Sequence, residues 1–538
     1  MSLVATQVTS CREEDLMIDG ALSRRQVLGA ALATVALAGA SSCAGEEQSS
    51  GDGGSGRPSA SREQTLSLAI QATPNSFDPA ELTSGQSSFV WSALYDTLIW
   101  KDNKGKLQPN AAESWNYSDG GRTLTLKLRK GMSFSSGAPV NAVAVKTTLE
   151  RSKNTPGFTD QVLGALESVD APDDRTVVLR LSHPDGALLD SLAVSGAGVI
   201  GDPATLNDKR TALNPVGSGP YVLNTGQTVN GSTYVLDRRE DYWNVQAYPF
   251  KTVKISVIRD RTAALNALQA GEVNAGTVEV TNVDRLRAAG FDAAVVEAHS
   301  LASLVLADRT GESLKPLGDP RVRQAINMAF DREKIVEQLL RGSGKPTEQV
   351  FNPKDPAYDP ALNTTYAYDP QRAKRLLAEA GYPNGFSVTM PEFFLAKSFA
   401  PTITQSLAAI GITTTWEPVP PQQTDAAISS KKYPAFFLIA GLETTAGDAS
   451  RYFSKDGAFN PFHAEDPDLT PQVEQATQTI DPRQAADAYR HVNATAVRDA
   501  WNAPLFYVAV HWVTKKGITY LGDGSLTFNT VRAFGLSG

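Results

Sequence analysis

Residues that could carry covalent chemistry are scattered along this 538-residue chain and form no recognised catalytic motif. Ser429 and Lys432 have the spacing of a Ser-x-x-Lys pair, in which a lysine can activate a serine nucleophile. We interpret them as part of an exposed turn, because two serines are followed directly by two lysines. The sequence contains no nucleophile elbow, zinc-protease motif, phosphate-binding loop or dinucleotide-binding loop. We therefore predict no catalytic residue and no cofactor, and a binding protein is favoured over an enzyme.

Histidines and cysteines are placed unfavourably for a metal site. No two of the five histidines are three or four residues apart, which is the spacing that brings two ligands to one helix face. They are His183, His299, His463, His491 and His511. Cys11 and Cys43 are the only cysteines, so the chain after Cys43 can form no internal disulfide, thiolate zinc site or iron–sulfur cluster. We predict no metal site.

The first 64 residues have the pattern of an export signal followed by an anchor. Arg24 and Arg25 precede an apolar run at 27–39, whose helical length of about 20 Å is too short to span a bilayer. The paired arginines resemble a twin-arginine signal, and the small residues before Cys43 resemble a lipobox, with Ala40 in the usual leucine position. We predict a signal peptide at 1–42 and lipid on Cys43. The alternative is an ordinary secreted protein with an incidental cysteine.

Residues 43–64 are rich in Gly, Ser and acidic side chains, which is typical of a flexible tether. Residues 1–16 add nothing to the signal, so Met17 is a candidate for the true start and 1–16 for a non-native extension. The whole chain carries 50 basic and 58 acidic residues, a net charge of −8, without a cluster of Lys and Arg. This charge pattern argues against a nucleic-acid partner.

The remaining chain alternates strand and helix patterns, which predicts a mixed α/β protein. Apolar residues alternate with polar ones at 124–128 and 177–181, as they do in half-buried strands. Asp319-Pro320 and Asp369-Pro370 each supply a helix cap and a first-turn proline before apolar residues at helical spacing.

Seven blocks of the sequence, in this order, resemble the family 5 extracellular solute-binding proteins, the peptide- and nickel-type receptors of ABC importers. The blocks are AAESW at 111–115, LRKGMSFSSGAPV at 128–140, NPVGSGPY at 214–221, REDYW at 239–243, LQAGEV at 268–273, DPRVRQAI at 319–326 and AKRLLAEAGY at 373–382. The likeness extends over roughly 65–515. It implies a two-lobe periplasmic-binding-protein fold with a hinge between the lobes and an extra subdomain inserted in lobe one.

By these blocks, the resemblance implies specific boundaries for the lobes. Lobe one is expected at 65–97, 218–302 and 500–538, the inserted subdomain at 98–217 and lobe two at 303–499. Three chain crossings would form the hinge, and ligand would bind in the cleft between the lobes. We expect Gly217 and Gly219 to allow a backbone bend at one crossing.

The resemblance also implies a ligand-binding segment at 442–445. Peptide-binding members carry an aspartate there that pairs with the free α-amino group of the peptide, three residues after a tryptophan. Here Leu442 replaces the tryptophan and Thr445 falls on the aspartate position, followed by Asp448, which we interpret as structural. Two readings stay open. In the first, the ligand is an N-blocked or modified peptide, a sugar or a metal chelate. In the second, Glu443, next to Thr444, supplies the missing carboxylate through a shifted loop.

Further candidates come from lobe one. Ser84, Gly85 and Gln86 match a segment that lies along bound peptide in the family, and their polar groups suit a neutral polar ligand. Trp91 and Tyr95 are expected to pack in the core. Weaker candidates on a late strand are Tyr507, His511 and Trp512.

Taken together, the resemblance implies an extracytoplasmic, lipid-anchored and monomeric solute-binding component of an ABC importer. Its partners would be a peptide-like or other small polar ligand and a membrane permease driven by a separate ATPase. Two other classes remain as alternatives: a ligand-sensing surface receptor on the same fold, and an enzyme that evolved in the cleft.

Overall fold

The computed structural model describes residues 65–526 and 528–537. The predicted signal peptide, Cys43 and the tether at 43–64 lie outside the described residues. No described helix has the length and apolar character needed to cross a membrane.

Helices and strands alternate along the described chain. The strands are Thr65–Ile70 (β1), Ile99–Lys101 (β2), Leu107–Pro109 (β3), Ala112–Ser118 (β4), Thr123–Leu128 (β5), Leu166–Asp173 (β6), Thr176–Leu181 (β7), Tyr221–Leu223 (β8), Thr233–Arg238 (β9), Thr252–Val257 (β10), Ala275–Val278 (β11), Phe291–Val305 (β12), Gly344–Pro346 (β13), Phe386–Glu392 (β14), Ile412–Pro418 (β15), Phe436–Gly441 (β16), Ala503–Lys515 (β17), Ile518–Tyr520 (β18) and Phe534–Leu536 (β19). The α-helices are Ser88–Leu94 (α1), Ala142–Asn154 (α2), Phe158–Val162 (α3), Leu188–Val194 (α4), Arg261–Ala270 (α5), Val280–Ala288 (α6), Pro320–Met328 (α7), Arg332–Leu340 (α8), Pro370–Glu379 (α9), Ala400–Ala408 (α10), Thr424–Ser429 (α11), Thr445–Phe453 (α12), Leu469–Gln478 (α13) and Pro482–Arg498 (α14).

The largest sheet has nine strands in the order β16-β12-β17-β11-β1-β10-β9-β8, with β13 added against β17. Two long antiparallel strands, β12 and β17, join its halves: Ala294 pairs with Trp512 near one end and Leu301 with Tyr507 near the other. The register shifts between Val296 and Ser300, which marks a β-bulge where the strands pass between the halves.

A separate four-stranded antiparallel sheet, β4-β5-β7-β6, contains both of the alternating patterns seen in the sequence. Leu124, Leu126 and Leu128 of β5 are buried while their neighbours are partly exposed, because side chains alternate between the faces of a strand. Strand β7 shows the same pattern. The strand predictions for these two segments are confirmed.

Helices α7 and α9 begin where the Asp-Pro pairs predict. The Asp319 side chain accepts from the backbone N–H of Arg321, and the Asp369 side chain accepts from that of Arg372, so each aspartate caps its helix. Pro320 and Pro370 occupy the first helical position, where a missing N–H costs nothing. Both helix predictions are confirmed.

Buried apolar residues form three main clusters. One lies within 66–95, 199–296 and 512–534, a second within 98–200, and a third within 298–507. Strand β12 contributes Val296 to the first cluster and Leu301 to the third, so this strand connects two cores.

Gly217 and Gly219 serve close packing at a segment where the chain bends over 218–220. Neither has a positive φ angle. A Cβ atom at Gly217 would lie 2.0 Å from the carbonyl oxygen of Leu94, and one at Gly219 would lie 2.5 Å from the Leu94 carbonyl carbon. The two glycines therefore allow their chain segment to lie directly against the end of α1.

Candidate ligand-binding site

Residues from five distant parts of the chain line a cavity of about 260 Å³. Its lining consists of Lys101, Lys104, Gly105, Lys106, Val194, Asn352, Lys354, Asp355, Pro356, Glu443, Thr444, Thr445, Ser525 and Leu526. In the order of the chain, these are the β2–β3 hairpin, the end of α4, the 352–356 loop, the start of α12 and the 525–526 segment. The cavity thus depends on long-range contacts between these parts.

A tight turn presents the hairpin lysines. The Asp102 carboxylate accepts from the backbone N–H groups of Lys104 and Lys106, each at 2.9 Å, and so closes the turn. Gly105 adopts a φ angle of +74°, which costs little for glycine. A Cβ at Gly105 would lie 3.2 Å from the carbonyl oxygen of Ser525, so the hairpin lies against the 525–526 segment.

The 352–356 loop is fixed by its own polar side chains. Asn352 Oδ1 accepts from the Lys354 N–H at 2.9 Å, and Asp355 Oδ1 accepts from the Ala357 N–H at 2.7 Å. Asn352 Nδ2 donates to the carbonyl oxygen of Gly524 at 3.0 Å. This last bond ties the loop to the segment that lies beside the hairpin.

The third wall is the turn from β16 into α12. Thr444 caps the helix, since its hydroxyl accepts from the Gly447 N–H at 3.1 Å. The next residue, Thr445, donates its hydroxyl hydrogen to Asp355 Oδ2. Thr445 therefore connects this wall to the 352–356 loop through a carboxylate that faces the cavity.

Glu443 belongs to a charged cluster with Asp448 and Arg451. The guanidinium of Arg451 lies 3.2 Å from Glu443 Oε1 and 2.5 Å from Asp448 Oδ1, and it donates to the Gly441 carbonyl oxygen. Asp448 is 1% exposed, and its pKa is raised to about 7, chiefly by burial and also by the charge of Glu443, while Arg451 opposes the shift. Our interpretation of Asp448 as a structural residue agrees with this burial.

Lysines outnumber carboxylates on the cavity lining. Lys101 Nζ lies 2.8 Å from Asp190 Oδ1, so its charge is compensated. In the part of the chain that the structure describes, the amino groups of Lys104, Lys106 and Lys354 have no carboxylate within 4.0 Å. These three lysines, which we call the lysine rim, are exposed. The rim favours a ligand that carries negative charge.

The predicted site residues divide into two groups. Glu443, Thr444 and Thr445 line the cavity, whereas Leu442 is buried in the core at 5% exposure.

Ser84, Gly85 and Gln86 do not line the cavity. Gln86 Oε1 accepts from the backbone N–H groups of Gln71 and Ala72, and the carbonyl oxygens of Ser84 and Gly85 accept from serine hydroxyls of α1 and its N-terminal turn. The segment therefore joins the backbone after β1 to the start of α1, and its part in ligand binding stays a prediction.

The aromatic candidates are structural. Trp91 and Tyr95 are buried, in agreement with the expected core packing. Tyr507 is fully buried among backbone carbonyls, and Trp512 stacks on Tyr520 with ring centroids 5.1 Å apart. His511 Nε2 lies 2.6 Å from Ser343 Oγ, away from the cavity lining.

The Ser-x-x-Lys pair does not form a reactive dyad. Ser429 donates its hydroxyl hydrogen to the Asp425 carbonyl, as a serine near a helix end commonly does, and Lys432 Nζ lies 2.5 Å from Glu417 Oε2. No group of three His, Cys, Asp or Glu side chains suited to a metal ion occurs among residues 65–526 and 528–537.

Sequence reasoning missed the hairpin, the 352–356 loop and the 525–526 segment as site elements. A signal was present at the hairpin, where Lys101, Lys104 and Lys106 are three cations within six residues. No comparable signal marks Asp355, because its role depends on a contact with Thr445, 90 residues away.

Comparisons with known proteins agree with this architecture. Residues 106–460 match the family of bacterial extracellular solute-binding proteins, family 5. A glutathione-binding protein, GsiB, of Escherichia coli K12 is 29% identical over 353 residues, which are 64% of this chain and 67% of that protein. GsiB of Salmonella choleraesuis is 25% identical over 484 residues, 86% of this chain and 93% of that protein.

Solved structures share the fold. The Helicobacter pylori periplasmic binding protein DppA, in complex with the peptide STSA, has a TM-score of 0.74 at 23% identity and covers 88% of this chain and 98% of its own. AgaA of A. tumefaciens R10, in complex with agropinic acid, has a TM-score of 0.73 at 24% identity, with 88% and 99% covered. These neighbours confirm the mixed α/β, two-lobe binding-protein fold. The chain belongs to family 5 of the bacterial extracellular solute-binding proteins, and it is an extracytoplasmic solute-binding component of an ABC importer.

Proposed function

We propose that this chain captures a small, carboxylate-bearing polar ligand in the 260 Å³ cavity and presents it to a permease driven by a separate ATPase. The observation that carries the proposal is the lining itself. Four lysines and only two carboxylates surround this cavity, in a protein whose net charge is −8. Positive charge concentrated in a cleft of an acidic protein favours anionic ligands over neutral sugars.

The names of two relatives fit a ligand of this class. GsiB is a glutathione-binding protein and AgaA was solved with agropinic acid, and both compounds carry carboxylates. Of the ligands left open by the sequence, a peptide or modified peptide with carboxylates therefore suits the cavity best. We propose no covalent step, since the cavity lining contains no serine, histidine or cysteine arranged as a nucleophile with its base.

Ligand capture would proceed by closure of two lobes about β12 and β17. We propose lobe one at 65–97, 218–302 and 500–538, the inserted subdomain at 98–217 and lobe two at 303–499. The three core clusters support this division, although residues at the ends of β12 and the start of β17 pack with the third cluster. A ligand that contacts both the hairpin and the 352–356 loop would favour the closed arrangement.

We further propose that the protein is a monomer held at the outer face of the membrane by lipid on Cys43. The signal and lipobox patterns in the sequence support this attachment. In the native host, Cys43→Ser is expected to release the protein from the membrane fraction into the medium or periplasm. Continued membrane association of that variant would contradict the lipid anchor.

Isothermal titration of the purified protein tests ligand capture directly. Glutathione, glutamate-containing dipeptides, a neutral tripeptide and a neutral disaccharide form a suitable panel. We expect a carboxylate-bearing compound to bind and to raise the melting temperature, because a ligand that binds only the folded state stabilises it. Preferential binding of the disaccharide would contradict the proposal. Conversion of any bound compound to a new product would contradict the absence of catalysis.

A further inference from the structure

One carboxylate on the cavity wall is held in place by other groups and has no cationic partner among the residues that the structure describes. Asp355 is half-buried and lines the cavity. The Ala357 N–H fixes Oδ1, and the Thr445 hydroxyl fixes Oδ2. A carboxylate has about four acceptor positions, so Asp355 can accept further hydrogen bonds from a group in the cavity.

Two other charged side chains on the cavity lining are already paired. Lys101 lies close enough to affect Asp355 electrostatically, but its amino group is engaged by Asp190. Glu443, the other acidic residue on the lining, forms an ion pair with Arg451. Within the described residues, no Lys, Arg or His nitrogen lies within 4.0 Å of the Asp355 carboxylate.

Burial raises the pKa of Asp355, while the Thr445 and Ala357 hydrogen bonds and the charge of Lys101 oppose the shift. The negative charge of Asp355 is therefore costly to bury. A cation bound at Asp355 would offset that cost, since partly buried charges are stabilised when they are paired and hydrogen-bonded.

We propose that Asp355, oriented by Thr445, binds a primary ammonium group of the ligand while the lysine rim binds its carboxylates. This assignment rests on the proposed function and narrows it. The ligand class becomes small acidic compounds with a free amine, such as acidic peptides. The carboxylate that contacts the amine is supplied from the 352–356 loop, and Thr445 acts as its positioning residue.

Paired probes test the assignment. The probes are glutathione and synthetic di- and tripeptides that contain glutamate or aspartate, each as the free amine and as the N-acetyl derivative. Equilibrium dialysis with mass-spectrometric detection measures which compounds the full-length protein retains. We expect the wild-type protein to bind at least one free amine and to bind its N-acetyl form about 100-fold more weakly, because acetylation removes the charge.

Three variants separate the roles of the wall residues. Asp355→Asn is expected to lower the affinity for the free amine about 100-fold and to leave the weak binding of the N-acetyl form unchanged. Thr445→Val removes one orienting hydrogen bond and is expected to cost about tenfold for the free amine alone. Glu443→Gln tests the rival carboxylate and should keep the preference for the free amine over the N-acetyl form. The control Glu337→Gln, on an exposed part of α8, should change neither affinity.

Melting curves of each variant without ligand establish that it is folded. If Asp355→Asn lowers the affinity for the free amine and for the N-acetyl form by the same factor, the assignment of the ammonium to Asp355 is overturned. So would a loss of amine selectivity in Glu443→Gln. If the wild-type protein binds only N-acetyl forms, which carry carboxylates but no amine, this inference fails and the proposed function stands. If it binds no compound at all, the proposed function fails and the inference fails with it.

Discussion

At Thr445, a neutral hydroxyl occupies the position where the family resemblance implies an aspartate. In the structure, this hydroxyl donates a hydrogen bond to the Asp355 carboxylate on a neighbouring loop. Thr445 and Asp355 differ in how far the sequence predicts them. The loss of a carboxylate at 445 is visible in the sequence. Its neighbour at 355 becomes visible only when the fold brings two distant segments together.

The lysine rim leads to the first prediction. Replacing Lys104, Lys106 and Lys354 with Gln should weaken binding of a carboxylate-bearing ligand about tenfold, since each exposed charge contributes less than about 1 kcal/mol. The salt dependence of the affinity should also decrease, because fewer charges remain to be screened. Titrations at two ionic strengths measure both effects.

The matched control for this triple variant is Lys334→Gln, an exposed lysine on α8 that does not line the cavity. It should leave the affinity unchanged. An unchanged affinity and salt dependence in the triple variant would remove the rim from the binding site.

Asp448 leads to a prediction about stability and pH. Burial raises its pKa from 3.8 to about 7, so the folded protein holds this proton more tightly than the unfolded chain does. The contribution of Asp448 to stability is therefore greatest below about pH 4 and is lost as pH rises towards 7. Asp448→Asn should flatten the fall in unfolding free energy over that range.

Chemical denaturation at several pH values measures this difference between wild type and variant. Asn keeps an oxygen that can accept from the Glu443 N–H but cannot pair fully with Arg451. A steeper dependence on pH in the variant would contradict the raised pKa.

Single elements were the most predictable level of this structure. Helices α7 and α9 and strands β5 and β7 follow from caps and apolar periodicity, which are properties of a few adjacent residues. The site is different, since it combines the β2–β3 hairpin with loops more than 200 residues away. The segment at 84–86 lies outside this lining, and its polar groups accept from the backbone after β1 and from α1.

The contact between the loop before α4 and the end of α13 is testable. The Gly186 N–H donates to the Thr477 carbonyl at 2.7 Å, and a Cβ there would lie 2.3 Å from the Thr479 carbonyl oxygen. This contact joins the proposed inserted subdomain to lobe two, so Gly186→Ala should hinder lobe closure. We expect a loss of ligand affinity of about tenfold with little change in the ligand-free melting temperature.

The control is Gly137→Ala, at a positive-φ turn position with open space around it. It should lower the melting temperature slightly and leave the affinity unaltered. If Gly186→Ala lowers the ligand-free melting temperature without changing affinity, the contact is purely structural.

At the scale of the whole molecule, charge is distributed unevenly. The chain is acidic overall, yet lysines are the commonest charged residues on its cavity lining. The net charge of the chain therefore does not predict the anionic ligand that the cavity favours. The long strands β12 and β17 join two of the three cores, which is the connection that the proposed lobe closure needs. Architecture, cavity charge and family membership support the same account of anion capture between lobes.

Native mass spectrometry of the protein purified from its own host tests this account most directly. We expect a fraction of the protein to retain one small compound, and tandem fragmentation should identify that compound as carrying at least one carboxylate. The triple variant of the lysine rim should retain less of it under the same conditions. Retention of a neutral sugar by the wild-type protein, or of a carboxylate compound equally by both proteins, would contradict the account.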